Sequence, residues 1–520
     1  MKRRNIIRAF PACFFVMFLL ACIIANKRVV KIIYTNYKNN NVEYAVDNAE
    51  GTLQESIVGK TVFLDLNGLM TASLGINSLN TIQKLSNGWL ANEEPHECDV
   101  ETVVEDIRDL STFLKNNHIE YICMPVGGKN AFYDVKFKQG HAIDEKDTYQ
   151  SLIQGLSENK VNYLDMNTWY QNNGWKMEDV YFKTDHHWRP EAAWQATKCL
   201  IENLYQCGII QNNTSIYEKN KWNFEVYRDW FLGSEGKRTG TKYAGTDDLC
   251  YVYPKFDTDI TVHRFYYDKE NRTGNNGSVY ETHYLNQKNY FSENSYCLYL
   301  GGNFSLTYIQ NNAAQENKKV MVIGDSYRLP VECFLSAIFK EIYHVDMRAY
   351  EEGTFIELVQ EIKPDIVMII FTTPDVDTKL KFGIDDWKQN YESRQKEEQF
   401  HTEEIKLEET KAKNNFKVVY SNIVDGSYEV DVQDVILERN SEINSNDAGG
   451  CVQFSLMDLQ TGQVVKSRYF LSDYETPQKW LFTVPKNKNA NYAIVVYNGM
   501  FNDTYGNTTK ISNISISHYQ

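Results

Sequence analysis

The sequence predicts an α/β domain, in which a parallel sheet is flanked by helices, followed by a C-terminal β-sandwich. Strand-like apolar runs alternate with amphipathic helices in two separate blocks of the chain, a pattern typical of a mostly parallel sheet with helices on its faces. Short alternating strands with regular turns then fill the last hundred or so residues, as in a β-sandwich. At 520 residues the chain is long enough for two or three domains.

The first block has three predicted strands and two predicted helices. Apolar runs over residues 61–66 and 119–126 and a shorter one over 161–164 predict strands. Apolar residues recur at helical spacing over residues 100–117, and a second helix is predicted over 149–159.

The second block repeats this alternation. Strands are predicted over residues 319–323, 342–345 and 366–371, and helices over 330–340 and 355–362. The interval between the blocks is rich in Tyr, Gly, Asn and Asp, which predicts long loops and short strands, not a separate domain.

After the second block the composition changes twice. Residues 388–413 are dense in Glu, Lys and Gln and predict a solvated helix or linker. Strand-like runs separated by turns follow at residues 416–420, 428–432, 451–456 and 492–497. The predicted boundaries are 1–30 for an anchor, 31–60 for a polar stalk, 61–387 for the α/β domain, 388–415 for a charged linker and 416–520 for the sandwich.

The N-terminus resembles a secretory signal or a signal anchor. Basic residues precede an apolar run over residues 9–25, near the lower limit for crossing a bilayer. The leading positive charges favour a cytoplasmic N-terminus, so the rest of the chain is expected outside the cytoplasm at the cell membrane. We favour an uncleaved anchor. The alternative is a lipoprotein, because residues 19–22 resemble a lipoprotein cleavage box that ends at Cys22.

Composition excludes some classes of partner and cofactor. The formal net charge of -15 argues against nucleic acid and anionic membranes, because phosphate binding needs concentrated Lys and Arg. The 10 cysteines include no CxxC pair or Cys/His cluster at zinc spacing, and neither a metal nor another cofactor is predicted. The many Tyr and Trp side chains suit sugar faces as well as ordinary cores.

A candidate nucleophile follows the strand that ends at Ile323. The sequence Gly324-Asp325-Ser326 comes directly after it and before a predicted helix. A strand, a glycine turn and a helix place the serine hydroxyl at the carboxyl edge of the sheet, where ligands bind in α/β folds. The N-terminus of the following helix can supply N–H groups to a developing oxyanion.

A candidate base lies in Asp185-His186-His187-Trp188. If this segment is extended, residues two apart share a face, so that Asp185 orients His187 as in a Ser-His-Asp triad and His186 points elsewhere. The alternatives are a turn in which the histidines pack locally, and a metal site. The metal site lacks a second cluster of ligands in the sequence.

Together the two motifs resemble the DHHW family of bacterial proteins, which is grouped with the SGNH-hydrolase-like domains of the alginate O-acetyltransferases. The resemblance rests on residues 184–188 (TDHHW) and 323–327 (IGDSY), with further similarity at 231–238 and 363–367. It implies an SGNH-hydrolase-like fold and a triad of Asp185, His187 and Ser326, with Asp and His before Ser, the reverse of ordinary SGNH esterases.

The resemblance also implies a function and partners. The expected function is O-acetylation of a surface or exported polysaccharide outside the cytoplasmic membrane, with a multi-pass membrane acyltransferase as the source of acyl groups. Residues 416–520 are expected to parallel the carbohydrate-binding β-domain of some relatives. The alternatives are a carbohydrate acetyl esterase that uses the same triad, and a non-catalytic protein that binds or assembles glycans.

Five further residues are predicted to contact substrate. Arg328 binds an anionic sugar or helps the oxyanion, or else forms a surface salt bridge. Gly233 and Ser234 lie in a glycine-rich loop that offers a second oxyanion N–H, or else form an ordinary turn. Trp188 and Tyr327 flank the site and stack on a sugar, or else pack in the core.

Overall fold

The computed structural model describes most of the chain from Gly59 onward. The predicted anchor and nearly all of the predicted stalk lie outside the described residues. Within the described part, no helix is both long and apolar enough to cross a membrane. The described residues are 59–92, 98–132, 145–212, 214–265, 271–372, 382–408, 416–421, 423–438, 451–472, 477–487, 489–498 and 508–520.

A seven-stranded mixed sheet forms the centre of the α/β domain, in the order β4-β12-β10-β11-β9-β7-β8. The first four of these strands are parallel, and β9, β7 and β8 extend the sheet with antiparallel pairs. The strands of this part of the chain are β1 (Ser78–Leu79), β2 (Ile82–Lys84), β3 (Leu90–Asn92), β4 (Glu120–Val126), β5 (Trp222–Phe231), β6 (Asp247–Pro254), β7 (Ile260–Arg264), β8 (Arg272–Gly274), β9 (Leu306–Asn311), β10 (Glu316–Gly324), β11 (Phe339–Val345) and β12 (Ile366–Thr372).

Helices pack on the faces of this sheet because both faces of its parallel strands are apolar. All seven residues of β12 are buried, as expected for a strand covered on both sides. The helices are α1 (Lys60–Ser73), α2 (Val100–Asn116), α3 (Lys129–Phe132), α4 (Glu145–Glu158), α5 (Met166–Asn172), α6 (Met177–Val180), α7 (Pro190–Gln206), α8 (Ser234–Thr239), α9 (Thr241–Ala244), α10 (Arg328–Leu335), α11 (Phe355–Ile362) and α12 (Ile384–Trp387).

The strand predicted over residues 61–66 is wrong, because this segment belongs to helix α1. A short apolar run does not by itself separate a strand from a helix. Leu64, Gly68 and Thr71 recur at helical spacing and form the side of α1 that is least exposed. The Asp65 carboxylate accepts a hydrogen bond from the Thr241 N–H group over 2.6 Å, which fixes α1 against the start of α9.

Strands from the interval between the two blocks pair with each other and with the central sheet. Strands β5 and β6 form a two-stranded antiparallel sheet, while β7 and β8 join the edge of the central sheet. This extension adds antiparallel strands to the mostly parallel sheet that the sequence predicts. It arises because β9 pairs antiparallel with β11, and β7 pairs antiparallel with β9.

Two four-stranded antiparallel sheets form the C-terminal part, in the orders β13-β20-β15-β18 and β14-β19-β16-β17. Between them lies an apolar cluster that includes Val430, Phe454, Trp480 and Ile514. The strands are β13 (Lys396–Glu408), β14 (Phe416–Tyr420), β15 (Gly426–Glu438), β16 (Cys451–Asp458), β17 (Gln463–Leu471), β18 (Gln478–Val484), β19 (Tyr492–Asn498) and β20 (Thr508–Tyr519).

The predicted charged linker contains an edge strand of this β-rich region. Residues Lys396–Glu408 form β13, which pairs antiparallel with β20. Ile405 and Leu407 are buried, whereas most of the Glu and Lys side chains of β13 are exposed. The high charge density of residues 396–408 made this strand look like a linker. Edge strands of natural sheets commonly carry charges, because charges prevent pairing with other chains.

A buried ion pair joins the α/β domain to the sandwich. Glu361 of α11 lies 3.1 Å from Arg468 of β17, and its other carboxylate oxygen accepts the Leu481 N–H group over 2.7 Å. Arg468 also donates to the Tyr350 hydroxyl over 3.1 Å. Burial raises the pKa of Glu361 to about 7, against the opposing charge of Arg468.

Candidate active site

A tight turn holds Ser326 at the carboxyl end of β10. Gly324 has φ of 155°, and a Cβ atom there would lie 1.5 Å from the Ile370 carbonyl oxygen, so only glycine fits. Asp325 fixes the residues around the serine. Its carboxylate accepts hydrogen bonds from the Tyr327 N–H group over 3.0 Å and from both the N–H and the hydroxyl of Thr372 over 2.7 Å.

Ser326 is accessible enough for a ligand to reach its hydroxyl. The side chain is half-buried. Among the described residues, the Ser326 N–H group has no hydrogen-bond partner, although it precedes the first turn of α10. An N–H group beside a nucleophilic hydroxyl is the donor expected of an oxyanion hole.

The segment that carries Asp185 and His187 is a series of bends between α6 and α7, and not an extended strand. Asp247 of β6 anchors its start. One Asp247 carboxylate oxygen accepts the Thr184 N–H group over 2.8 Å and the Thr184 hydroxyl over 2.6 Å, and the other accepts the Lys183 N–H group over 2.7 Å. Tyr181 and Trp188 close the segment through an isolated β-bridge.

The structure brings Asp185, His187 and Ser326 together in one hydrogen-bonded chain. His187 Nδ1 lies 2.5 Å from Asp185 Oδ1, and His187 Nε2 lies 2.6 Å from Ser326 Oγ. The same Asp185 oxygen also accepts the His187 backbone N–H group over 3.0 Å. These contacts orient Nε2 toward the serine, the arrangement by which an imidazole removes a hydroxyl proton.

Asp185 is buried, yet it remains ionised. Burial alone would raise its pKa, but the neighbouring His187 and His186 and the hydrogen bonds from His187 hold the pKa well below its ordinary value. The Ser234 N–H group donates to Asp185 Oδ2 over 2.6 Å, which satisfies the second carboxylate oxygen. The carboxylate is therefore fixed on both sides.

Two aromatic rings cover the His187 imidazole. The Tyr296 ring stacks on it with centroids 4.0 Å apart and an interplanar angle of 21°, and the His186 ring lies 3.9 Å away at 35°. Two rings at these distances and angles cannot occupy the same face, so they cover opposite faces. Packing of this kind restricts rotation of the imidazole.

The position of Arg328 does not support the predicted contact with substrate. Its side chain is fully buried, and its guanidinium donates to the carbonyl oxygens of Gly324 and Asp325. The same group lies 2.8 Å from His344 Nε2. Arg328 therefore lies neither at the surface nor in the site. Its hydrogen bonds to these carbonyl oxygens stabilise the turn that carries Ser326. Its carboxylate neighbours are Glu332 at 3.3 Å and Asp346 at 3.7 Å.

Trp188 and Tyr327 also differ from the predicted sugar platforms, because both are buried in the core. Trp188 donates its indole N–H to the Tyr327 carbonyl oxygen over 3.0 Å, which joins the histidine segment to the serine turn. The Tyr327 hydroxyl donates to the His186 carbonyl oxygen. Both side chains position the two motifs relative to each other.

The loop of Gly233 and Ser234 supports Asp185. The Gly233 N–H group donates to the Thr184 hydroxyl over 2.9 Å, and the Ser234 N–H group is bound to Asp185. Neither N–H is free to serve as the predicted oxyanion donor. A buried ion pair of 2.6 Å between Glu235 and Lys129 fixes the same loop to the segment after β4.

Sequence reasoning missed several residues that build the site: Tyr296, Asp247, Thr372, Lys129 and Glu235. They are distant from the two motifs along the chain and carry no local pattern of their own. The only available signal lay in residues 231–238, whose similarity to the DHHW family pointed to the loop without indicating that it binds Asp185.

Asp185, His186 and His187 are also the one group of described side chains that brings three metal-ligating atoms together, within 4.8 Å of one another. The geometry favours a hydrogen bond over shared coordination. The contact atoms of Asp185 and His187 are only 2.5 Å apart, whereas two ligands that each lie about 2.1 Å from one ion are separated by roughly 3 Å or more.

The chain was compared with curated proteins and with solved structures. None of the curated proteins compared with the chain matches it. Among solved structures, Bacillus cereus PatB1 with a sulfonyl adduct is 18% identical and covers 58% of this chain and 96% of that chain, with a TM-score of 0.47. A DHHW family protein from Eubacterium siraeum is 17% identical, with 59% and 96% covered and a TM-score of 0.42. Pseudomonas aeruginosa AlgX is 16% identical, with 84% and 94% covered and a TM-score of 0.36.

A family model matches the part of the chain that carries the histidine motif. The model describes the SGNH hydrolase-like domain of acetyltransferase AlgX, and it matches residues 86–224. The SGNH-hydrolase-like fold predicted from the sequence is confirmed. In this segment the chain therefore matches the SGNH hydrolase-like domain family of acetyltransferase AlgX.

Proposed function

We propose that this protein is an O-acetyltransferase that moves acetyl groups onto the hydroxyls of a surface or exported polysaccharide. The observation that carries the proposal is the hydrogen-bonded chain from Asp185 through His187 to Ser326. The match of residues 86–224 to an acetyltransferase family supports acyl transfer as the class of reaction.

In the first half-reaction, Ser326 Oγ attacks the carbonyl carbon of an acetyl donor. His187 Nε2, at 2.6 Å, takes the hydroxyl proton, and the buried Asp185 carboxylate stabilises the imidazolium that forms. The Ser326 N–H group donates to the negatively charged oxygen of the tetrahedral intermediate. The intermediate then expels the donor's leaving group, which receives the proton from His187, and an acetyl-Ser326 ester remains.

The second half-reaction reverses these proton transfers with a sugar as the nucleophile. His187 removes the proton of a sugar hydroxyl, whose oxygen attacks the acetyl-Ser326 carbonyl carbon. Collapse of the second intermediate returns the proton to Ser326 Oγ and releases the acetylated sugar. Water in place of the sugar would give an esterase, so the function depends on how well the acceptor competes with water.

The location and partners of the enzyme belong to the same proposal. Residues 1–30 anchor the chain in the cell membrane, residues 31–60 connect the anchor to the catalytic domain, and that domain works outside the cytoplasm. A multi-pass membrane acyltransferase supplies the acetyl groups. The C-terminal β-rich region, which includes β13, binds the polysaccharide.

The test uses the full-length protein in detergent and a chromogenic acetyl ester, with and without oligosaccharide acceptors. We expect the wild type to release chromophore, the Ser326→Ala variant to be inactive, and acetylated acceptor to be detected by mass spectrometry. Free acetate alone, at saturating acceptor, would make the protein an esterase. Equal signals from wild type and folded Ser326→Ala would refute both enzyme functions and favour a glycan-binding protein.

A further inference from the structure

His186 is the exposed residue of the Asp185–Trp188 motif, and the proposed mechanism assigns it no step. Asp185, His187 and Trp188 are buried, whereas half of the His186 side chain is exposed. Its ring lies against the His187 imidazole, with centroids 3.9 Å apart. The expectation that His186 points away from the site is therefore wrong, because the segment bends where an extended strand was assumed.

The two ring nitrogens of His186 have different surroundings. Nδ1 lies 3.0 Å from the Ser234 hydroxyl and 3.8 Å from Asp185 Oδ1. Nε2 has no hydrogen-bond partner among the described residues. Since Ser234 occupies Nδ1 and half of the side chain is exposed, Nε2 is the ring nitrogen that remains for a ligand.

The charge state of His186 determines which kind of ligand group its ring can bind. Burial of part of the ring lowers the pKa of His186, and the neighbouring His187 lowers it further, so the imidazole is neutral near pH 7. One nitrogen of a neutral imidazole donates and the other accepts. Because the Ser234 hydroxyl can either donate to or accept from Nδ1, Nε2 suits a group that does both, such as a sugar hydroxyl.

We propose that His186, held by Ser234, binds a hydroxyl of the acceptor sugar and positions the sugar for attack on acetyl-Ser326. This inference rests on the proposed function and deepens it, because it assigns a binding residue for the acceptor. The ligand is an uncharged polyol with a second hydroxyl near the one that is acetylated. Water lacks that second hydroxyl, so the contact favours transfer over hydrolysis.

The measured quantity is the ratio of acetyl transfer to hydrolysis at a fixed concentration of an oligosaccharide acceptor. Both products arise from the same acetyl-enzyme, so the ratio does not depend on how much of a variant folds. His186→Phe keeps a flat ring beside His187 but removes both nitrogens. His186→Gln keeps a polar group near the position of Nε2. Ser234→Ala removes the hydroxyl at Nδ1 but keeps the backbone N–H group bound to Asp185.

We expect the ratio to fall roughly tenfold in His186→Phe, the loss of about one neutral hydrogen bond. The ratio should fall less in His186→Gln. In Ser234→Ala it should fall by an amount between those of the two His186 variants. The matched control is His118→Phe, which replaces an exposed histidine just before the amino end of β4, at the edge of the sheet opposite Ser326, and should leave the ratio unchanged.

Three results would overturn the inference. An unchanged ratio with lower overall turnover in His186→Phe would show that His186 only packs or helps the oxyanion. An unchanged ratio with normal turnover would show that it has no role. Loss of activity on chelation, restored by Zn²⁺ in the wild type only, would make His186 a metal ligand. Failure of the proposed function is distinguishable, because the wild type itself would then show no release that depends on Ser326.

Discussion

Gly233 packs directly against the backbone of Asp185, and this close approach makes the site sensitive to a single methyl group. A Cβ atom at Gly233 would lie 2.1 Å from Asp185 Cβ and 2.6 Å from Asp185 Cα. Ordinary contact between carbon atoms requires about 3.5 Å or more. Gly233 has φ of -74°, which any residue adopts, so the obstacle to Gly233→Ala is steric and not conformational.

Relief of this clash requires a relative movement of more than 1 Å between the two backbones. Asp185 is bound to His187 Nδ1 over 2.5 Å and to Ser234 N over 2.6 Å, so the movement breaks or distorts at least one of these contacts. A displacement of about 1 Å in a catalytic constellation costs about a hundredfold in rate, and overpacking of a buried site costs about 1–3 kcal/mol of stability. Gly233→Ala should therefore lose activity at least a hundredfold while it remains folded.

The assay is kcat/KM for the chromogenic acetyl ester, together with the thermal unfolding midpoint. Gly277→Ala is the matched control, because its Cβ atom would meet nothing within 4 Å and its φ is ordinary. This control should retain wild-type activity. Activity of Gly233→Ala within about threefold of the wild type, with similar stability, would refute the argument that Asp185 must keep this position.

Three further predictions concern charged groups. Asp185→Asn should lower kcat about a thousandfold or more with little change in fold, because an amide favours the wrong tautomer of His187; equal kcat values would contradict this. Arg328→Met should lower the free energy of unfolding in urea by about 3–5 kcal/mol, because Glu332 and Asp346 lose their buried partner. A rise in KM at unchanged stability would instead restore a substrate-binding role. Since the folded-state pKa of Glu361 is raised from 4.5 to about 7, its contribution to stability is greatest below about pH 4.5 and falls as the pH rises to about 7. The free energy of unfolding of the wild type, relative to that of Glu361→Gln, should therefore decline by up to about 3 kcal/mol over this range. Urea unfolding of both proteins at several pH values measures this difference, and a difference that does not change with pH would contradict the assignment.

Sequence patterns were sufficient where one local signal determines the structure. The helix predicted over residues 355–362 has those bounds in the structure, because Thr354 and Glu357 form a capping box around its first turn. The strand predicted over residues 366–371 ends one residue later, at Thr372. The motifs of Asp185, His187 and Ser326 were recognisable for the same reason, since each carries its residues at fixed spacing.

The remaining features depend on contacts between distant segments, which local patterns do not encode. Residues 61–66 belong to a helix that contacts a distant segment, since Gly68 packs against Thr239 and Tyr243. The strand β13 looked like a linker because it is densely charged, and its partner β20 lies far along the chain, at Thr508–Tyr519. Arg328 follows the nucleophile closely, yet its buried partners Glu332, His344 and Asp346 could not be inferred from that position.

The most direct test of the triad is to identify the residue that carries the acetyl group. The full-length protein is mixed with the acetyl ester, quenched in acid within the first turnover and digested for peptide mass spectrometry. The proposed mechanism predicts one acetyl group on Ser326 in the wild type, far less in His187→Ala and none in Ser326→Ala. Acetylation that persists in Ser326→Ala, or a wild type that turns over the ester without acetyl-Ser326, would contradict it.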